Sequence, residues 1–88
     1  MKTFMIFTED KNRTKIKEIL ASRLESFTLL FGQGFWASAG VTYCENSLAI
    51  VVLTKEKEVI RDIAREIKRV NQQESVLVVG WGAESEFV

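Results

Sequence analysis

The 88-residue chain has no histidine, no proline and a single cysteine. Each absence removes a class of function. Histidine is the side chain that ordinarily changes charge near neutral pH, so the commonest general base is missing. Ser-His-Asp and Cys-His nucleophile arrangements go with it. One cysteine without histidine cannot build the usual zinc sites, so neither a metal nor a cofactor is expected. Cys44 cannot close a disulfide within the chain, which fits a reducing compartment. The lack of proline rules out a proline-rich linker, and the length suits one small domain. No apolar run approaches the ~18 residues of a membrane span, and the apolar stretch in "MKTFMIFTEDK" is too short for a signal peptide. These features predict a cytoplasmic protein with no membrane partner. Net charge is also absent: 12 basic residues balance 12 acidic ones. A general nucleic-acid binder needs a basic excess to neutralise phosphates.

What is present reads as alternating strands and helices. "KTFMIFT", Lys2 to Thr8, is a short apolar run that ends in a polar cluster, which predicts a strand. In the next segment Ile16, Ile19, Leu20 and Leu24 recur at helical spacing, with Thr8 or Asp10 as candidate cap. "FTLLFGQGFW", Phe27 to Trp36, has strand composition. Phe27, Leu29, Phe31, Gln33 and Phe35 fall on one face, and Thr28, Leu30, Gly32, Gly34 and Trp36 on the other. "ASAG", Ala37 to Gly40, is the turn of a hairpin. "VTYC" and "SLAIVVL" form the returning strand, with a bulge expected at Glu45–Ser47. Thr54 is placed to cap a second helix, with Val59, Ile60, Ile63, Ala64, Ile67 and Val70 on one stripe. "SVLVVGW", Ser75 to Trp81, is a last strand. The order β-α-β-β-α-β with right-handed crossovers predicts an α+β, ferredoxin-like plait over residues 1–82. That is a four-stranded antiparallel sheet in the order 4-1-3-2, two helices on one face, and residues 83–88 as a C-terminal tail.

Two helices cover one face of such a sheet. A strand with one wet face should alternate apolar and polar residues. "FMIF", "LAIVVL" and "VLVV" do not alternate, so the second face also needs cover. A second copy of the chain, sheet against sheet, provides it, which predicts a homo-oligomer, a dimer or a ring of dimers. The competing expectation is that the tail or the hairpin folds over that face. Trp81, Val76 and Val78 are the candidate interface residues, since tryptophan favours such positions.

The glycine-rich hairpin is the candidate ligand site. No helix follows Gly32 and Gly34, so they make neither a P-loop nor a dinucleotide fingerprint. Their plain role is to relieve crowding in a bent strand. The sharper reading is a hollow walled by Phe35, Trp36 and Tyr43, suited to a flat ring such as a nucleobase. Glu45 stands in an otherwise apolar hairpin. If buried it needs a donor, and Tyr43, Gln33 and Trp36 are within reach along the strands. Cys44, on the opposite face from Glu45, reads as a small core residue. On the second helix Lys57, Arg61, Arg65 and Arg69 repeat every four residues and share one flank. Such a stripe is usually a solvated face with internal ion pairs; alternatively, Arg61 and Arg65 grip a phosphate. The ligand-binding set is therefore Gln33, Gly34, Phe35, Trp36, Tyr43, Glu45, Arg61 and Arg65. No catalytic residue is assigned.

Gly34 and Trp36, Glu45, and Gln73, Glu74, Ser75, Val76 and Leu77 also form a pattern. It resembles a domain-of-unknown-function family of small bacterial and phage proteins, with a Gly-x-Trp hairpin, a glutamate on the returning strand and a Gln-Glu-Ser-Val-Leu entry to the last strand. The similarity spans roughly residues 27–79 and departs from the pattern at "ASAG", where a basic residue would stand. It implies the same plait and brings no activity. The expectation is then a non-enzymatic oligomeric binding module. It would hold a small ligand such as a nucleotide, or a host protein, and a phage-type protein of this size would act by sequestration. Two alternatives stand beside it. One is a cofactor-free enzyme with Glu45 or Tyr43 as base, and the other is a purely structural subunit.

Overall fold

The computed structural model describes residues 2–81, so the tail expected at 83–88 lies outside the described residues. The elements are β1 (Lys2–Glu9), α1 (Arg13–Arg23), β2 (Thr28–Ser38), β3 (Val41–Thr54), α2 (Lys57–Val70) and β4 (Leu77–Trp81). The sheet order is β2-β3-β1-β4 and every pairing is antiparallel. This is the predicted plait, with β1 and β3 central and β2 and β4 at the edges.

Strand periodicity divides the sheet into two faces. Phe4 and Ile6 of β1 and Leu48, Ile50 and Val52 of β3 point toward the helices and are buried. Ile16 and Leu20 of α1 and Ile60, Ile63 and Ile67 of α2 close over them. Most of these residues are fully buried isoleucines and leucines, each worth about 1.5–3 kcal/mol of transfer free energy. Leu29, Val76 and Val78 pack at the margin of this core. Val76 and Val78 therefore face the helices rather than an outer interface. In β4 it is Leu77 and Val79 that alternate onto the open face.

The hairpin differs from its expected form in two ways. The β2–β3 register is uninterrupted from Thr28↔Val51 to Ser38↔Val41, and β1–β3 continues in step to Glu9↔Ser47. There is no bulge at Glu45–Ser47, because Asn46 and Ser47 keep their ladder partners Gln33 and Gly32. The turn narrows to two residues, Ala39 and Gly40, with φ of 50° and 78°. Positive φ at both positions is the two-residue turn whose twist matches the flanking strands.

Both helix starts also differ from expectation. The residue before α1 is Asn12 at φ 59°, and its side chain does not cap the helix. Asp10 instead pairs with Arg13, through Nε–Oδ1 at 2.8 Å and Nη2–Oδ2 at 2.6 Å. Thr8 is buried beneath the loop. At α2 the N-cap is Glu56, again with no side-chain cap. Thr54 Oγ1 accepts from the Glu56 N–H at 3.1 Å, which turns the chain before the helix begins.

A buried amide holds the loops together at one end of the sheet. Asn71, just past α2, is 1% exposed. Its Nδ2 donates to Thr8 Oγ1 at 3.0 Å, the Glu9 carbonyl at 3.2 Å and Gln73 Oε1 at 3.3 Å. Its Oδ1 accepts from Asn12 Nδ2 at 3.0 Å. Thr8 Oγ1 donates to Gln73 Oε1. One side chain thus ties the end of β1, the start of α1 and the α2–β4 loop. No helix among the described residues is long and apolar enough to cross a membrane.

Candidate ligand-binding face

The β2–β3 hairpin outruns its neighbours. β1 ends at Glu9, opposite Ser47, and Asp10 adds one more backbone bond to the Asn46 carbonyl at 2.8 Å. Residues 41–46 and their β2 partners continue beyond, roughly 20 Å at the rise of an extended strand. This projection accounts for the long axis of a molecule measuring 45 × 27 × 20 Å.

Side chains alternate along the projection. Trp36 lies directly across from Tyr43, and the rings stack with centroids 5.4 Å apart at 19°. The next pair on this face is Gly34 with Glu45, then Gly32 with Ser47, then Leu30 with Ala49. Phe35, Cys44, Gln33 and Asn46 alternate onto the other face. The expected hollow walled by Phe35, Trp36 and Tyr43 is therefore not formed, because a period of two puts Phe35 behind the sheet. Phe35 is 66% exposed there. Cys44 is exposed too, not a core residue, because the helices do not reach that far along the hairpin.

The open face brings together Gly34, Trp36, Tyr43 and Glu45 from the expected set. Glu45 is half-buried and has no hydrogen bond or ion pair among the described residues, so Gln33, Tyr43 and Trp36 do not serve it as donors. A Cβ on Gly34 would stand 2.6 Å from Ser47 Oγ, so the glycine admits the serine side chain. A Cβ on Gly32 would meet nothing within 4 Å, so the surface is open there, with the Gly34–Glu45 pair between it and the stacked rings. Down the same face run Met5, Phe7, Leu30, Val51, Leu77 and Val79. Phe7, Leu30 and Leu77 are 37%, 49% and 61% exposed. The apolar composition read from the strands thus becomes an apolar strip that the described residues leave uncovered.

Arg61 and Arg65 do not join this set. Both lie on the helix layer, and Arg61 stands over Lys2 and Phe4, at the end of β1 away from the hairpin tip. Arg61 pairs with Glu58 at 3.2 Å and Arg65 with Asp62 at 3.0 Å, each i to i+3. Arg23 of α1 reaches Glu66 at 3.3 Å. Of the α2 stripe, Arg61 and Arg65 are ion-paired within the helix. Of Trp81 the structure describes the backbone, which pairs with Thr3 at the end of β4.

Sequence reasoning missed a cluster at the hairpin base. The Arg13 guanidinium lies 4.2 Å above the Phe31 ring while pairing with Asp10. That hydrogen bond, opposed by burial and reinforced by the attraction of the two charges, holds the Asp10 carboxyl below its ordinary range and raises Arg13 above its own. The run of three amides at Asn71–Gln73 was the available signal for the neighbouring buried network. The described residues contain no cluster of three or more metal-ligating side chains.

Compared with known proteins, the chain matches no protein-family model and no curated protein. Solved structures do share its fold. A phage SAM lyase in complex with S-methyl-5′-thioadenosine aligns with a TM-score of 0.71 at 20% identity, over 91% of this chain and 79% of the other. The periplasmic divalent cation tolerance protein CutA from Archaeoglobus fulgidus gives 0.74 at 15%, over 99% and 88%. The GlnK–ATP complex of B. subtilis gives 0.66 at 21%, over 91% and 80%. The chain is thus a ferredoxin-like α+β domain of the kind seen in CutA, GlnK and the phage lyase. The plait implied by the resemblance to an unknown-function family is present, and the family itself finds no match.

Proposed function

We propose that this chain is a homo-oligomeric binding module that holds a small adenine-containing molecule beside Trp36, Tyr43 and Glu45. One observation carries the reading. The open sheet face bears a continuous apolar strip that ends in a stacked Trp36–Tyr43 pair, with the Glu45 carboxylate next to it unpartnered among the described residues. A strip of this kind favours cover by a second copy. Such a contact would wall the open surface over Gly34 and the stacked rings and turn it into a cleft. The exposed ring face of Trp36 offers a stacking surface, and the Glu45 carboxylate accepts from an exocyclic amino group. The ligand class is supported by two fold neighbours, one bound to S-methyl-5′-thioadenosine and one to ATP. The phage origin of the first supports a sequestering role against a host nucleotide. The exposed free thiol of Cys44 is in keeping with action in the cytoplasm.

Native mass spectrometry on the full chain, with S-methyl-5′-thioadenosine or ATP added, tests this directly. A multimer that gains ligand mass is expected, with a change in tryptophan fluorescence that is lost in Trp36→Phe. Val79→Glu should shift the multimer to monomer while keeping the circular dichroism of the fold. A wild-type monomer at micromolar concentration, with no added mass, would overturn the proposal.

A second reading gives the same face a reaction. It draws on Glu45, unpartnered and one strand period from Tyr43, and on the neighbour that is a phage SAM lyase. In an elimination, Glu45 would take a proton from the carbon next to the one bonded to sulfur. The C–H electrons form a carbon–carbon double bond, and the carbon–sulfur pair leaves with sulfur as a neutral thioether. Incubation with SAM followed by chromatography decides the matter. Thioether formed by wild type and not by Glu45→Gln supports a lyase, and none from either leaves the binding module.

A further inference from the structure

At the end of the sheet away from the hairpin, between α2 and the β1–β4 pair, lies a cavity of about 400 Å³. Its described lining is Lys2, Phe4, Lys57, Ile60, Arg61, Val78 and Gly80. Three of these are cations and none is an acid. The rest form an apolar floor that extends the core, with Phe4 and Ile60 buried.

The charge arrangement is unfavourable as it stands. Lys57 is the first residue of α2, where the helix presents its positive end, and a cation there opposes the macrodipole. No side chain caps this terminus. Lys2 and Lys57 have no acidic partner among the described residues, and Arg61 has only the exposed Glu58. Helix dipole, two lysines and an arginine thus share one rim, against which the described residues set a single first-turn acid, Glu58, already paired with Arg61. An anion in the cavity satisfies all four at once, with charge-assisted hydrogen bonds. Gly80 keeps the wall flat. A Cβ there would stand 3.0 Å from the Phe4 ring, tight enough that the ring would have to shift by a few tenths of an ångström.

We infer that this cavity is a second binding site, for a phosphate monoester with a compact apolar body. The phosphate sits between Lys2, Lys57 and Arg61, and the body lies on Phe4, Ile60 and Val78. The site is independent of the hairpin face, which lies at the far end of the sheet, and of whether that face binds anything.

Phenyl phosphate and inorganic phosphate are the probes, each titrated into the isotopically labelled full chain at low salt, with amide shifts followed by NMR. Phenyl phosphate should move the Lys57, Arg61 and Gly80 amides saturably and leave Trp36 and Glu45 unmoved. It should bind roughly tenfold more tightly than inorganic phosphate, because only it uses the floor. Lys57→Gln with Arg61→Gln should weaken it by roughly tenfold or more, given the strength of bonds to charged groups. A dispersed spectrum for that double variant shows that it is folded. Three results would overturn the site: no saturable shift, equal affinity for the two probes, or undiminished affinity in the folded double variant. If instead the hairpin amides respond to phenyl phosphate and these three do not, the cavity is not the site.

Discussion

Asn71→Ala probes the buried amide that joins three loops. In the folded chain the side chain is 1% exposed and its two N–H groups serve three acceptors while its oxygen serves Asn12. Truncation does not orphan every partner. Thr8 keeps Gln73 as acceptor, the Glu9 carbonyl keeps the Lys11 N–H at 3.0 Å, and Asn12 keeps the Val70 carbonyl at 3.3 Å. The loss is therefore that of a few hydrogen bonds at about 1 kcal/mol net each, about 2–3 kcal/mol in all, rather than the larger cost of stranded buried groups. For a domain of this size that lowers Tm by roughly 10–20 °C. Thermal and urea unfolding by circular dichroism, at one fixed protein concentration, measure it. Asn71→Asp sharpens the test. It keeps the shape but turns the donors into acceptors facing Thr8, Glu9 and Gln73. Burial raises that carboxyl above its unfolded value, so its penalty is absent at low pH and grows as pH rises past the unfolded carboxylate range. A loss under about 0.5 kcal/mol for Asn71→Ala, or wild-type stability for Asn71→Asp at pH 7, would refute the reasoning.

Two further outcomes follow from single residues. Ala39 holds φ 50° in the hairpin turn, where asparagine is far better tolerated; Ala39→Asn should stabilise the protein by about 0.5–1 kcal/mol in urea unfolding, and destabilisation would exclude this turn. The Asp10 carboxyl, lowered by its Arg13 hydrogen bond, contributes stability above its ordinary value of 3.8 that is lost as pH falls through the lower folded value. Arg13→Gln should return the Asp10 titration toward 3.8, read by carboxyl NMR, and an unmoved titration would show that the pair does not form in solution.

The candidate site was legible in part, and the division is physical. That Trp36 and Gly34 share a face, and that Glu45 and Cys44 do not, followed from the strand period. That Tyr43 meets Trp36 did not, because the partner across a hairpin depends on turn length, and the turn is two residues rather than four. Phe35 was grouped with Trp36 by nearness in sequence, although adjacent strand residues point to opposite faces. Arg61 and Arg65 were joined to the hairpin by charge alone. Helix placement put Arg61 over Lys2 and Phe4 instead. Val76 and Val78 read as apolar, but apolarity on both faces of a strand cannot say which face meets the helices. The bulge expected at Glu45–Ser47 rested on polar residues interrupting an apolar run, and those residues simply lie on the part of β3 that projects past the core.

The sequence by itself determined the elements and the plait, because apolar periodicity of 2 and 3.6 and the rules for connecting strands leave few ways to bury "FMIF", "LAIVVL" and the isoleucine stripe of α2 together. It also determined that one sheet face would be apolar and outside the two helices. Only the tertiary structure decided where polar and charged groups meet. Register, turn length and helix placement bring Thr8 to Asn71, Arg13 to Phe31, Trp36 to Tyr43, and Lys2 to Lys57 and Arg61. These partners are far apart in the chain or set by a single residue of turn, and their energies are too small and too local to leave a periodic signal.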